Sequence, residues 1–252
     1  MKLIVGNTGL VGQTIQKFES FDYAFNSKNI DTFKDIAQDG DELFLTCLPA
    51  TKWLVNQNLS ADIDNIHKIL NTIQGTHYSK ITLISTIDVY CDSPLYCNET
   101  YAPNIRNLSY GNNRYLFELL VKHFVKYDSL KIFRLPALYN NLIKKNVLFD
   151  LINNNNVEQI NQNSMYQWYN LDRLHNDIEF YSEEYPDEMI YNLFTEPIHT
   201  SEIVELFPEH MDKVQNGNKI VYNYLTKFGS YIENKSSVLR DIKKFINEFS
   251  VK

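Results

Sequence analysis

The clearest chemical signature in the chain is a set of three glycines, Gly6, Gly9 and Gly12, which follow a short apolar run at intervals of three residues. Between a strand and a helix, the first glycine allows a tight turn with positive φ, the second lets a pyrophosphate approach the backbone, and the third lets the helix pack closely on the strand. Plain strand-to-helix turns also carry glycines, so it is the context that predicts a dinucleotide site. The predicted cofactor contacts in this loop are Gly6, Asn7, Thr8, Gly9, Leu10, Val11 and Gly12.

The choice between the two nicotinamide dinucleotides depends on the residues about 20 positions after the glycines. A site for NAD(H) usually has a carboxylate there, which bonds the ribose 2′-hydroxyl. Here the place is taken by Asn26, Ser27 and Lys28, and the first carboxylate is Asp31. Ser27 and Lys28 either contact a 2′-phosphate or lie in a solvent-exposed turn. We therefore expect NADP(H) to be preferred over NAD(H), with Asn26, Ser27 and Lys28 as further cofactor contacts.

The elements that position these residues alternate between short apolar runs and amphipathic segments in the first half of the chain, a pattern typical of a parallel sheet flanked by helices. The predicted strands are residues 3–5, 23–25, 43–47, 81–85 and 132–135. The predicted helices are residues 10–19, 62–73 and 110–127. Ligands of such sheets bind beyond the carboxyl ends of the strands. We therefore expect the site where Val5, Cys47, Ser85 and Leu135 end these strands.

The pattern changes after Pro136, where an asparagine-rich stretch over residues 140–163 resembles an insertion. Further predicted elements are strands at 165–169 and 189–193 and helices at 171–182, 147–152 and 235–249. We accordingly predict a dinucleotide-binding domain over residues 1–138, to which later segments return. Residues 139–252 form mainly a substrate lobe and a closing helix in this prediction.

Four further segments complete a recognisable order after the glycine loop: Ser85–Thr86 with Val89–Tyr90, Tyr110 with Arg114 four positions later, Arg134-Leu135-Pro136, and Trp168 to Leu174. In this order the sequence resembles the extended short-chain dehydrogenase/reductase family, which contains sugar-nucleotide epimerases, dehydratases and reductases. The resemblance covers most of the chain. It implies a Rossmann-type α/β fold, a doubly wound parallel sheet with a small C-terminal substrate-binding lobe. It also implies a nicotinamide cofactor and a nucleotide-sugar substrate.

By this resemblance Tyr110 is the acid/base that exchanges a proton with a sugar hydroxyl or ketone, and Thr86 bonds the same oxygen. Arg114 and Pro136 are further cofactor contacts. A phenol with a pKa of about 10 is a poor base at neutral pH, but an adjacent cation stabilises the phenolate. At about 4 Å and an effective dielectric of about 20, the attraction is about 4 kcal/mol before desolvation offsets part of it. We therefore expect Arg114 to position the ribose and to tune Tyr110 for acid–base catalysis.

The sequence departs from the family at Arg114, where lysine is usual. Arginine keeps the positive charge and the hydrogen-bond donors, but it cannot release its proton. Stabilisation of a phenolate survives this change, whereas a proton relay through the residue does not. The departure leaves open a second hypothesis, a protein that binds nucleotide with little catalysis.

Asp88 stands where dehydratases of the family tend to carry glutamate as an additional base. Its carboxylate could remove a sugar proton after oxidation, or it could cap the following loop. Because Ile87 replaces the acidic partner of one dehydratase subgroup and aspartate is shorter than glutamate, we expect reduction or epimerisation rather than elimination.

Basic residues near the predicted cleft offer a place for a diphosphate. Lys144 and Lys145, with Asn146, are candidate substrate contacts, and the alternative is a solvated surface pair. Lys52, which precedes Trp53, either borders the cofactor or belongs to an amphipathic packing pair.

The composition of the chain limits the classes of partner that we expect it to bind. The 252 residues carry a formal net charge of -7, which argues against nucleic-acid and anionic-membrane partners. Three cysteines without a CxxC pair and six scattered histidines favour a reduced cytoplasmic chain and no metal site. Members of the family often dimerise through the helix after the tyrosine. The segment with Tyr115, Leu116, Leu119, Leu120 and His123 either forms a homodimer interface of this kind or faces the sheet.

Overall fold

The structure is a computed structural model that describes residues 1–214 and 217–249. The strands are β1 (Lys2–Val5), β2 (Tyr23–Phe25), β3 (Glu42–Leu45), β4 (His77–Thr86), β5 (Lys126–Leu135), β6 (Ala137–Tyr139), β7 (Met165–Tyr166), β8 (Trp168–Asn170), β9 (Ile190–Asn192) and β10 (Ile198–His199). The helices are α1 (Leu10–Ile15), α2 (Phe33–Ile36), α3 (Lys52–Gln57), α4 (Leu59–Ile73), α5 (Tyr110–Phe124), α6 (Val147–Ile152), α7 (Leu174–Glu184), α8 (Thr200–Val204) and α9 (Lys235–Phe249). Single 3-10 turns lie at Ile30–Thr32, Ile87–Tyr90, Val157–Gln159, Leu171–Arg173 and Pro208–His210.

The central sheet has six strands in the order β2-β1-β3-β4-β5-β9. Strand β1 pairs in parallel with β2 on one side and with β3 on the other, and β3–β4 and β5–β9 are also parallel. The order reverses at β1, because the chain adds β2 on one side of it and β3 on the other. The crevice between β1 and β3 is the topological switch point, where ligands of such sheets bind.

The central strands are buried on both faces. Leu3, Ile4 and Val5 are buried consecutively in β1, as are Leu43, Phe44 and Leu45 in β3. Because successive strand residues point to opposite faces, consecutive burial means that both faces of the sheet are covered. This is the reason that the strands contain continuous apolar runs in the sequence.

Two long helices, α4 and α5, pack against each other beside this sheet. Asn58 caps α4 by accepting a hydrogen bond from the Ala61 N–H at 3.2 Å, and Ser109 caps α5 by accepting one from the Asn112 N–H at 3.2 Å. Each cap satisfies a backbone donor that has no partner within the helix. Helix α5 therefore begins at the residue after Ser109, and that residue is Tyr110.

The described chain divides into two compact units. The first contains residues 1–94, 101–134 and 172–192, with the central sheet, and the second contains residues 95–100 and 135–171 and the described residues after 192. In the second unit β6 pairs with β8 and β7 with β10. Its closing helix α9 is attached through Asp241, whose carboxylate accepts hydrogen bonds from Tyr139 at 2.7 Å and Asn170 at 2.8 Å.

The Rossmann-type α/β class expected from the sequence is confirmed, but several boundaries are wrong. The helix predicted over residues 110–127 ends at Phe124, because β5 begins at Lys126. The helix predicted over residues 10–19 ends at Ile15 and continues only as turns. The strand predicted over residues 43–47 ends at Leu45, and its last two residues belong to the loop that follows.

Within residues 1–214 and 217–249, the helices are all too short or too polar to span a lipid bilayer.

The glycine loop gives a test of the fold. A Cβ on Gly12 would lie 2.3 Å from the Gly6 carbonyl oxygen, whereas a Cβ on Gly9 would meet nothing closer than 3.4 Å. We expect Gly12→Ala to lower the free energy of unfolding by about 1–3 kcal/mol, because backbone atoms must move apart. The matched substitution Gly9→Ala should change it by less than about 0.5 kcal/mol. Urea unfolding followed by circular dichroism measures both, and equal stabilities of the two variants would contradict the packing described.

Candidate active site

The glycine loop is seated directly on the end of β3. Gly6 has a φ of +98°, and a Cβ there would lie 2.5 Å from the backbone carbonyl of Thr46. The Thr46 hydroxyl lies 3.2 Å from the Val5 carbonyl oxygen and 3.1 Å from that of Gly6, and donates to them. Only glycine satisfies both the positive φ and the close approach. The loop is thereby fixed at the switch point between β1 and β3.

Gly9 is required by nothing in the chain itself. Its φ of -73° suits any residue, it is exposed, and a Cβ would make only an ordinary contact of 3.4 Å with the Gly6 carbonyl oxygen. The missing side chain leaves space beside the backbone at the start of α1. A pyrophosphate approaching the backbone would use this space, so the loop fits a dinucleotide.

The segment after β2 is attached to the glycine loop. The Asn26 side-chain amide donates to Asn7 Oδ1 at 3.2 Å, and Asn26 Oδ1 accepts from the Lys28 N–H at 2.9 Å. Ser27 and Lys28 are exposed. This turn therefore presents a hydroxyl and an ammonium group beside the glycine loop, without a carboxylate.

Thr86 and Asp88 form a compact turn where β4 ends. The Thr86 hydroxyl oxygen accepts from the Asp88 N–H at 3.2 Å and lies 3.5 Å from Asp88 Oδ2. Asp88 Oδ1 accepts from the Lys52 ammonium at 2.6 Å. The carboxylate of Asp88, proposed from the sequence as an additional base or a cap, is thus part of an ion pair.

Tyr110 is held against this turn by its neighbour Gly111. A Cβ on Gly111 would lie 1.9 Å from the Asp88 carbonyl oxygen, so α5 approaches the turn as closely as a backbone can. The Tyr110 N–H also donates to Asn56 Oδ1 on α3 at 2.9 Å. Sequence reasoning missed Gly111, although a glycine in the first turn of a helix costs about 1 kcal/mol relative to alanine and indicates close packing.

Arg114 is a buried, fully engaged residue. Its guanidinium forms two hydrogen bonds with Asp62 of α4, Nη1 to Oδ2 at 2.8 Å and Nη2 to Oδ1 at 3.0 Å. Nη2 also donates to the Pro49 carbonyl oxygen at 2.6 Å, and Asn113 donates to the same Asp62 carboxylate at 2.9 Å. The residue therefore joins α5, α4 and the loop after β3. Sequence reasoning missed Asp62, which lies 52 positions from Arg114 along the chain.

The pKa of the Tyr110 phenol is raised to about 12, chiefly because the side chain is buried away from water. The Arg114 guanidinium, 4.5 Å from the centre of the Tyr110 ring, acts in the opposite direction, while the Asp88 carboxylate raises the pKa further. The Arg114 cation therefore acts on the phenol in the direction predicted from the sequence, but desolvation outweighs this attraction.

A second buried ion pair supports the end of β4. Glu118 of α5 accepts from Arg134 through both carboxylate oxygens, at 3.0 and 2.6 Å, and from the Ser85 hydroxyl at 2.5 Å. Arg134 also donates to the Tyr90 hydroxyl at 2.6 Å. This network fixes Ser85, the residue before Thr86, relative to the helix that carries Tyr110.

The predicted substrate contacts lie in the second unit. Lys144 and Lys145 are exposed. Asn146 caps α6, accepting from the Phe149 N–H at 3.0 Å and donating to the Leu138 carbonyl oxygen at 2.8 Å. The Asn146 side chain therefore stabilises the start of α6. Pro136, predicted as a cofactor contact, is buried between β5 and β6.

Two further expectations from the sequence concern a homodimer and a metal site. On α5, Tyr115, Leu116, Leu119 and Leu120 are half-buried and His123 is exposed, so the homodimer stays a prediction. Among the residues that the structure describes, no group of three histidine, cysteine or carboxylate side chains could hold a metal ion.

Solved structures share this fold over nearly the whole chain. MoeE5 in complex with UDP-glucose and NAD aligns with a TM-score of 0.73 and 13% identity, covering 99% of this chain and 98% of that one. dTDP-4-dehydrorhamnose reductase from Bacillus anthracis in complex with NADP aligns with a TM-score of 0.66 and 15% identity over 99% and 98%. UDP-N-acetylglucosamine 4-epimerase from Bacillus cereus aligns with a TM-score of 0.65 and 14% identity over 100% and 98%. No family model and no curated protein matches the sequence. At the level of the fold, the resemblance found in the sequence is confirmed.

The Arg114–Asp62 pair can be tested by its removal. Arg114→Met should lower the free energy of unfolding by about 3–5 kcal/mol, because it leaves the Asp62 carboxylate buried without its partner. The double substitution Arg114→Met with Asp62→Leu should recover part of that loss, since no unpaired charge remains. Denaturant titration gives the free energy of unfolding of the wild type, the single variant and the double variant.

The matched control is Lys244→Met, which breaks the exposed pair of Lys244 with Glu248 at 3.8 Å and should cost less than about 1 kcal/mol. An Arg114→Met variant as stable as this control would contradict the structural role of Arg114.

Proposed function

We propose that the chain is an NAD(P)-dependent enzyme of the extended short-chain dehydrogenase/reductase type, which reduces or epimerises a nucleotide-linked sugar. One observation carries this proposal. The loop after β3 contacts the glycine loop at Thr46 and accepts a hydrogen bond from Arg114 at Pro49. A single short segment therefore joins the predicted dinucleotide site to the helix that presents Tyr110.

The solved structures support the same class of function. By their descriptions, MoeE5 holds UDP-glucose together with NAD, and the reductase from Bacillus anthracis holds NADP. With sequence identities of 13% and 15% they are relatives in fold. The assignment of cofactor and substrate to this chain depends on the site residues described above.

The proton that the substrate oxygen exchanges in this reaction is assigned to Tyr110. Burial raises the pKa of the Tyr110 phenol to about 12 and so favours its protonated form. In this proposal Tyr110 donates a proton in a reduction, and it takes up and returns one in an epimerisation. Such a donor serves the reduction of a keto group, whose oxygen must gain a proton as the carbon gains a hydride. The Thr86 hydroxyl, at the end of β4, bonds that oxygen in this proposal. A bound dinucleotide supplies or accepts the hydride.

For the cofactor we propose NADP(H) in preference to NAD(H). The turn after β2 has no carboxylate over residues 26–29, and the exposed Lys28 ammonium would be favourable for a 2′-phosphate. For the substrate we propose that Lys144 and Lys145 contact the diphosphate of a nucleotide sugar, because paired ammonium groups favour phosphate oxygens.

A second candidate function is favoured by the engagement of Arg114. If no other cation acts at the site, a protein with this buried ion pair would bind nucleotide without turnover. The two candidates differ in whether the chain has a turnover that depends on Tyr110.

Replacement of Tyr110 by phenylalanine separates them. For the enzyme, Tyr110→Phe should lower kcat for a nucleotide sugar by about 10²–10⁴-fold, since the proton donor is lost, while the Kd for the dinucleotide stays the same. The matched control is Tyr127→Phe, which removes a hydroxyl bonded to the Lys122 carbonyl oxygen at 3.1 Å near the far end of α5, and it should keep the wild-type kcat.

Turnover is followed by nicotinamide absorbance, or by product chromatography for an epimerase, over a panel of nucleotide sugars. Wild-type protein that binds the dinucleotide but turns over none of the panel supports the second candidate. Turnover that persists unchanged in Tyr110→Phe would overturn the role given to Tyr110.

A further inference from the structure

Two cations of the site, Arg114 and Lys52, differ in accessibility. The Arg114 side chain is 6% exposed and is held by Asp62. The Lys52 side chain is 43% exposed, although its ammonium is 2.6 Å from Asp88 Oδ1. An ammonium group has three donors on a flexible stem. Lys52 is therefore able to reach a ligand oxygen while it keeps its carboxylate partner, whereas the Arg114 guanidinium is enclosed.

Lys52 is attached to both parts of the site. It is the first residue of α3, and α3 also carries Asn56, which accepts from the Tyr110 N–H at 2.9 Å. Its partner Asp88 lies in the turn capped by Thr86 and packed against Gly111. The contact with Asp88 fixes the direction of the lysine side chain next to the residues proposed to exchange the proton.

The position of α3 in the chain connects Lys52 to the predicted dinucleotide site. Helix α3 follows β3, the strand at the switch point, and the loop between them begins with Thr46, which contacts Gly6. A cation at the end of this loop stands on the same segment as the predicted pyrophosphate site. Its natural acceptors are oxygen atoms of the dinucleotide, either phosphate oxygens or ribose hydroxyls.

We propose that Lys52, held by Asp88, is the cation that contacts the bound dinucleotide, and that Arg114 is a positioning residue that fixes α5. The proposal rests on the proposed function, because it presupposes a dinucleotide at the glycine loop. It removes the main argument for a protein without turnover, since the charge that Arg114 cannot supply is supplied from α3. In this proposal Lys52 contacts the cofactor and Arg114 positions α5, whereas the sequence assigned both tasks to Arg114.

The test is the affinity of the full chain for NADPH and NADH, measured by calorimetric titration. Lys52→Met should raise the Kd by at least about tenfold, the loss expected for one charge-assisted hydrogen bond, and Lys52→Arg should recover most of the affinity. The matched control is Lys68→Met. Lys68 lies on α4, its side chain is 50% exposed, and its ammonium is 3.2 Å from Asp31 Oδ1. The Kd of this variant should equal that of the wild type. Lys52→Gln serves as a second variant should the methionine variant have a lower melting temperature.

The outcomes are distinct. If wild-type protein binds neither dinucleotide, the proposed function fails and this proposal falls with it. If the wild type binds and the Lys52→Met and Lys52→Gln variants bind equally well, only the role of Lys52 is overturned. Titrations at two salt concentrations distinguish a phosphate acceptor from a ribose acceptor. Salt screens the attraction between an ammonium and a phosphate. If Lys52 contacts a phosphate, the increase in Kd caused by Lys52→Met therefore decreases more steeply with salt than if it contacts a ribose hydroxyl.

Discussion

The contact between Gly6 and the backbone of Thr46 is the constraint on which the site depends. It leaves no room for a Cβ, so the loop after β1 is fixed on the end of β3. From that point the chain runs through Pro49, which accepts from Arg114, to α3, which binds the Tyr110 N–H. Tyr110, the proposed proton donor, and the glycine loop are therefore held by one continuous segment.

Burial and pairing decide the electrostatics of the site more than the number of charges does. The Arg114 guanidinium lies 4.5 Å from the Tyr110 ring, yet the pKa of the phenol is raised to about 12 because the side chain is desolvated. The neighbouring Asp62 balances the positive charge, and Asp88 adds a negative one. Burial therefore favours the protonated form of Tyr110, the form that the proposed reduction of a keto group requires.

The sequence predicted the fold because its signals are local. The bounds predicted for the strand at 23–25 and the helix at 235–249 agree with β2 and α9, since each depends on local periodicity. The long-range pairs could not be predicted, because Asp62 and Lys52 lie 52 and 36 positions from the partners that define their roles. Gly111 is the exception: its cost inside a helix is a local signal of close packing that the sequence does contain.

Dinucleotide binding is tested first by calorimetric titration of the wild-type protein with NADP(H) and NAD(H), alone and with nucleotide sugars present. We expect saturable binding of a dinucleotide, which tightens in the presence of one nucleotide sugar because the proposed hydride transfer requires both ligands to be bound. Absence of binding by both dinucleotides would contradict it, and the glycine loop would then be a feature of the fold without a ligand.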